Sequence, residues 1–227
     1  SLPMTPAQEH AKLVAELEAA NYRYYVLDDP IMTDREFDEL LTKLRALESK
    51  HPELVTGASP TQRVGGAART EVKKIRRATP MLSLDNSYSK DDLDAFFRRV
   101  REGLAEGQIA HFVIEPKLDG SSLEVIYEGG VLVQASTRGD GSTGEDITEN
   151  VRTIRGIPLK IAHTDRLTLR GEVVIYRKDL ETFNAERAEQ GLEPFSNPRN
   201  AAAGSVRMMD PREVARRPLR VMFYQVV

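Results

Sequence analysis

The apolar periodicity of this chain changes once, near residue 105, and that change limits what it can fold into. Before it, apolar residues recur at spacings of three and four. Leu13, Leu17 and Ala20 follow Thr5-Pro6-Ala7-Gln8, which offers a cap, a proline at the first helical position and a reciprocal glutamine. Phe37, Leu40, Leu41, Leu44 and Leu47 follow a second capping box, Thr33-Asp34-Arg35-Glu36, and His51-Pro52 ends the run. The spacing predicts two antiparallel helices whose open face serves a ligand or a neighbouring domain. Ser89-Lys90-Asp91-Asp92 starts a third helix, with Leu93, Phe96, Phe97, Val100 and Leu104 on one face.

Beyond the change, residues 111–116, 122–128, 131–138, 167–176 and 219–227 are β-rich, and Gly129-Gly130 suits a hairpin turn. Residues 139–143 read as a loop, and 145–153 and 178–190 as helices. Residues 52–80, rich in Pro, Gly, Ser and Thr, read as a linker with little regular structure. Helices and antiparallel hairpins in mixed order make this an α+β chain, not a doubly wound sheet.

Charge and cysteine usage narrow the partners. There is no cysteine, so disulfides and thiolate metal sites are excluded, and the four histidines have no metal-site spacing. A cytoplasmic protein fits. No apolar run approaches the roughly 18–20 residues that cross a membrane, and the first residues lack a signal-peptide pattern. Ser1-Leu2-Pro3 reads as a remnant ahead of Met4. The net charge is −3, and the basic clusters (Lys73, Lys74, Arg76, Arg77; Arg98, Arg99, Arg101; Arg212, Arg216, Arg217, Arg220) read as solvated faces and loops. A DNA grip, which needs phosphate neutralisation, would lie mostly elsewhere.

Reactive chemistry concentrates at Glu115-Pro116-Lys117-Leu118-Asp119-Gly120. Lysine attacks only when deprotonated, which a strand end partly buried in a pocket would favour. Gly120 lets the backbone approach a phosphate closely. Alone, such a segment reads as a β-turn with a surface lysine. It is joined by Thr137-Arg138-Gly139-Asp140-Gly141, by Arg170-Gly171-Glu172 and by the run from Asn197 to Arg207. The run carries two arginines suited to phosphate oxygens, and small residues that let a helix or loop lie against a nucleotide.

Lys117-Leu118-Asp119-Gly120 resembles the nucleophile motif of the covalent nucleotidyltransferases. Together with Pro80-Met81-Leu82-Ser83-Leu84-Asp85-Asn86 and the three later segments, the chain resembles the bacterial NAD+-dependent DNA ligases from about residue 7 onward. The resemblance implies a helical module over 4–60 that binds the nicotinamide mononucleotide half of NAD+. It implies a mixed or antiparallel-sheet nucleotidyltransferase domain, ATP-grasp-like, over 61–227. It casts Lys117 as the adenylated nucleophile and Asp119, Arg199 and Arg207 as phosphate-site residues. Glu115 would read the adenine amino group, Leu118 and Tyr224 would flank the base, and Ser83 and Leu84 would lie near the adenosine. Arg138 and Glu172 would hold the ribose. Tyr24, Asp34 and Asp38 would serve the nicotinamide half, whereas Tyr22 reads as a tyrosine of the hairpin core. Mg2+ would assist, with no ligands assignable, and the complete enzyme would seal nicked duplex DNA as a monomer.

Tyr25 stands where the family often has His, Phe37 where it often has Tyr, and Ser121-Ser122 where Leu-Ala is usual. The end at Val227 falls inside an apolar run, before the family's later lysine motifs and DNA-binding domains. The chain therefore reads as a truncated adenylation region, with a nucleotide-binding fragment of little turnover as the alternative.

Overall fold

The computed structural model describes residues 4–25, 27, 29–63 and 68–227. Ser1 to Pro3, Asp28 of the family-like motif, part of the linker and the side chain of Tyr25 lie outside the described residues. The elements run α1 (Pro6–Tyr25), α2 (Asp34–Lys50), β1 (Lys74–Arg76), α3 (Lys90–Glu102), β2 (Ser121–Glu128), β3 (Val131–Thr137) and β4 (Thr143–Glu145). They continue with α4 (Thr148–Arg152), β5 (Leu167–Val174), α5 (Arg177–Glu189), α6 (Pro198–Val206), α7 (Pro211–Val214) and β6 (Arg220–Val226). This is the α+β architecture the sequence predicts.

Both caps of the helical hairpin form. The Thr5 amide donates to Gln8 Oε1 at 2.9 Å, and the Gln8 amide returns to Thr5 Oγ1 at 3.3 Å. Thr33 and Glu36 make the second reciprocal box. Leu13, Leu17 and Leu44 form a small core, with Phe37, Leu40, Leu41 and Leu47 packed against it. Tyr22 is not part of that core and is 54% exposed. It lies two residues past the buried Ala20, roughly 200° around the helix from the apolar stripe.

The linker is more ordered than its composition suggests. It makes 3-10 turns at Pro52–Leu54 and Pro60–Arg63, and β1 pairs antiparallel with β4. Side chains anchor it. Ser59 and Thr61 donate to Glu48, which also lies 2.9 Å from His10 Nε2. Burial opposes ionisation of Glu48, but these hydrogen bonds outweigh it and hold the carboxyl below its usual range. Arg63 Nη1 donates to the Ile154 carbonyl at 3.2 Å, tying the linker to the second module. Arg77, expected on a solvated face, is buried. Its Nη1 and Nη2 donate to the Arg138, Gly141 and Thr137 carbonyls and to Ser136 Oγ, distant groups that local charge patterning cannot reveal.

The main sheet has the order β3-β2-β5-β6, all antiparallel. Gly129 and Gly130, at φ 59° and 77°, turn β2 into β3 as predicted. Strand alternation gives the sheet two different faces. Leu123, Val125, Tyr127 and Val173 point into the main core, where they meet Val151, Ala201, Ala202 and Val206. On the other face Ser122 stands opposite Glu172, and Glu124 opposite Arg170. That polar face borders the site.

Residues 111–116 form no strand, and Val113 and Ile114 are 84% and 97% exposed. β-propensity here has no partner among the described residues, and Pro116 cannot donate to a ladder. Phe112 instead packs edge-on to Phe97 of α3, ring centroids 5.0 Å apart. Helix α3 keeps its predicted cap at Ser89, yet it has no buried residue.

Candidate nucleotide site

An open cleft of about 1210 Å³ lies over the polar face of the sheet. The approach to β2 contributes Glu115, Lys117, Leu118 and Asp119. Ser83 and Leu84 come from the strap before α3, and Arg138 from the end of β3. Glu172 and Tyr224 come from neighbouring strands, and Arg199 and Arg207 from the two ends of α6. Residues separated by well over a hundred positions thus share one cavity.

Local chemistry sets each side chain. Ser122 Oγ donates to Glu172 Oε2 at 2.9 Å, as their facing register allows. Arg138 Nη1 donates to Ser83 Oγ at 3.0 Å, closing one wall of the cleft. Arg199 Nη1 lies 3.4 Å from Asp119 Oδ1. Arg207 is held by a two-pronged pair with Glu145, at 2.7 and 2.6 Å. That pair lowers the Glu145 carboxyl and raises the Arg207 guanidinium from their ordinary values. Burial pushes the Tyr224 hydroxyl up, and the Glu172 carboxylate adds to this.

Two expectations need correction. Lys117 does not sit at a strand end and is exposed, because the segment before β2 is unpaired. The small residues of α6 mostly face away from the cleft. Ala201 and Ala202 are wholly buried in the main core, and only Ala203 lines the cavity. Their small size lets α6 pack closely on the sheet. Lys74 and Glu145 also line the cleft but stand outside every motif. Only their pairing across β1 and β4 brings them there.

Gly120 is fixed by close approach. An added Cβ would lie 2.0 Å from the Val173 carbonyl oxygen and 3.1 Å from Glu172 Cγ. Gly120→Ala should therefore lower unfolding stability by about 1–3 kcal/mol or more, since backbone must move. Denaturant unfolding measures this. An unchanged midpoint would mean the Lys117 segment is not seated on β5.

A second recess, of about 140 Å³, opens on the helical hairpin and is lined by Tyr24, Asp34 and Phe37. Arg155 reaches it from the second module and lies 6.0 Å from the Phe37 ring centroid. Asp38 is exposed and does not line it. The recess shares no lining residue with the Lys117 cleft. Among the described residues no helix is long and apolar enough to cross a membrane.

Residues 69–227 match the family model for the NAD-dependent DNA ligase adenylation domain, and residues 3–65 match that for the DNA ligase-like, N-terminal NAD+-binding domain. The chain belongs to the NAD-dependent DNA ligase family. It is 50% identical over 233 residues to a DNA ligase of Stutzerimonas stutzeri, covering 98% of this chain and 30% of the relative. A DNA ligase of Azotobacter vinelandii is 49% identical over 226 residues, with 98% and 29% covered. One of Halorhodospira halophila is 49% identical over 222 residues, with 96% and 31% covered. The chain thus spans about 30% of the length of the curated relatives it matches. Both matched models describe domains of NAD-dependent or NAD+-binding ligase type.

Proposed function

We propose that this ligase region takes AMP from NAD+ onto Lys117 and releases nicotinamide mononucleotide. The supporting observation is that one cleft gathers Lys117, Glu172, Tyr224, Arg138, Arg199 and Arg207 from distant parts of the chain. Residues 4–60 form the module for the nicotinamide half, through Tyr24 and Asp34 with Asp38 nearby, and residues 61–227 hold the AMP half. An aromatic ring and carboxylates suit a cationic pyridinium.

In the reaction the Lys117 amine, having lost a proton to solvent, attacks the AMP phosphorus. A nitrogen–phosphorus bond forms, and the pyrophosphate P–O bond breaks. The electron pair leaves with the mononucleotide phosphate. Glu115 and Leu118 hold the adenine, with Tyr224 against its face. Ser83 and Leu84 border the adenosine, and Arg138 and Glu172 take the ribose. Asp119 positions Arg199, and with Arg207 they surround the phosphates, where fixed cations favour the developing charge. Mg2+ would accompany the nucleotide phosphates, with no ligand residues assigned to it. Bound there, Mg2+ would neutralise phosphate charge. In the complete protein the AMP would pass to the 5′-phosphate of nicked duplex DNA. A cytoplasmic monomer is the working form we propose.

Intact mass after incubation with NAD+ and Mg2+ should rise by one AMP, and ATP should give no gain. Labelling by ATP and not NAD+ would overturn the reading. No gain from either donor, with AMP still bound, would make the chain a nucleotide-binding module without turnover.

A further inference from the structure

Under the cleft lies a buried charge cluster that no part of the proposed chemistry uses. Glu124, on β2, accepts from Arg170 Nε of β5 at 2.9 Å and meets Arg77 Nε at 3.4 Å. The three side chains are at most 6% exposed. One carboxylate against two guanidiniums leaves an excess positive charge, and loop carbonyls absorb it. Arg170 donates to the Thr79 carbonyl at 2.6 Å and the Pro80 carbonyl at 3.1 Å. Arg77 donates to the Arg138 carbonyl at 2.7 Å, the Gly141 carbonyl at 3.3 Å, the Thr137 carbonyl and Ser136 Oγ.

Those carbonyls belong to the two segments that bear Ser83 and Arg138. The segments are also joined directly, by the Met81 amide to the Gly141 carbonyl at 2.9 Å and by Arg138 to Ser83. Gly141 has φ 97°, and a Cβ there would lie 2.9 Å from the Met81 oxygen. The approach of the two segments is thus close, and each is anchored to a different arginine of one carboxylate. A buried ion cluster is weak as a source of stability, because desolvation offsets its attraction. Its specific product here is the spacing of two loops.

We propose that Arg77, Glu124 and Arg170 form a positioning triad that sets the spacing of the Ser83 and Arg138 loops, and through it the affinity for the adenine nucleotide. The proposal rests on the nucleotide reading of the cleft. None of the three residues lines the cleft, so their effect passes through the loops.

Removing one member would strand a buried charge, so the test replaces all three with apolar residues of similar size, Arg77→Met, Glu124→Leu and Arg170→Met, in the full chain. Well-packed apolar replacements of buried ion clusters are often neutral or stabilising, which removal of a single partner is not. The variant should still fold, with its melting temperature lowered by the loop carbonyls that lose their donors. Amide exchange at Met81 and at the residues flanking Gly141 should accelerate by about tenfold or more. AMP affinity should fall at least about tenfold, and for a self-adenylating form KM for NAD+ should rise with kcat changed less than about threefold. A folded variant with wild-type exchange and wild-type AMP affinity overturns the proposal. Fast exchange with unchanged affinity also overturns it, because the loops would then be free without consequence. If the triple variant does not fold, Glu124→Gln is read by the same two measurements with the same outcomes. A wild-type chain that binds no AMP removes the nucleotide reading and the proposal with it, whereas the exchange result stands apart from nucleotide and shows which has failed.

Discussion

Lys117→Ala abolishes the mass gain of one AMP from NAD+, while AMP itself still binds within about threefold of the unmodified chain. The two halves of this expected result separate attack from binding. The side chain supplies the only nitrogen that the motif brings to the phosphorus, so its loss leaves no covalent route. Glu172, Tyr224 and Arg138 remain in the cleft to hold the nucleotide. Lys117→Arg should fail as completely, because a guanidinium stays protonated and cannot attack. Retained labelling in either variant would move the nucleophile to another residue. Lys74, on the same cleft, would be the first to examine.

A chain beginning at residue 61 should lose AMP transfer from NAD+ by about a thousandfold or more, yet keep its AMP affinity. Binding energy from the part of a substrate remote from the reacting bond supports the reacting step. The recess of Tyr24, Asp34 and Phe37 would go with the deleted segment. The main core draws its buried residues from Leu123 onward, with none from the hairpin. The shortened chain should therefore melt cooperatively. Labelling kinetics and AMP titration on that chain decide the matter. Parallel loss of AMP binding and of the melting transition would make the hairpin a structural support instead of a binding module.

Much of this was legible in the sequence, for identifiable reasons. Capping boxes and a helical apolar stripe act within one turn, so α1 and α2 stand within a few residues of expectation. Alternation and paired glycines placed β2 and β3. The cleft residues were legible because motif positions fix backbone that carries them, and the cleft gathers them although their polar contacts cross 50 to 80 positions. What failed depended on partners. Residues 111–116 have strand composition, but a strand is defined by pairing, and none is present among the described residues. Tyr22 has the residue type of a core position, but its angular position on the helix leaves it exposed. Arg77 looked like one basic residue in a solvated cluster. Its burial follows from carbonyls about 60 positions away, which no local window contains.

The hairpin and the sheet bury separate apolar clusters, Leu13, Leu17 and Leu44 in one and the Leu123 group in the other. The two clusters should therefore be able to unfold separately, so the Gly120 midpoint is to be read on the transition of the sheet. Each module has its own balance of burial against conformational entropy, with contacts such as Arg155 over the Phe37 ring between them. A substitution in α1 or α2 shifts one of those balances and leaves the other nearly untouched. Thermal unfolding followed by probes in each module should then give non-coincident curves, the mark of a half-folded population.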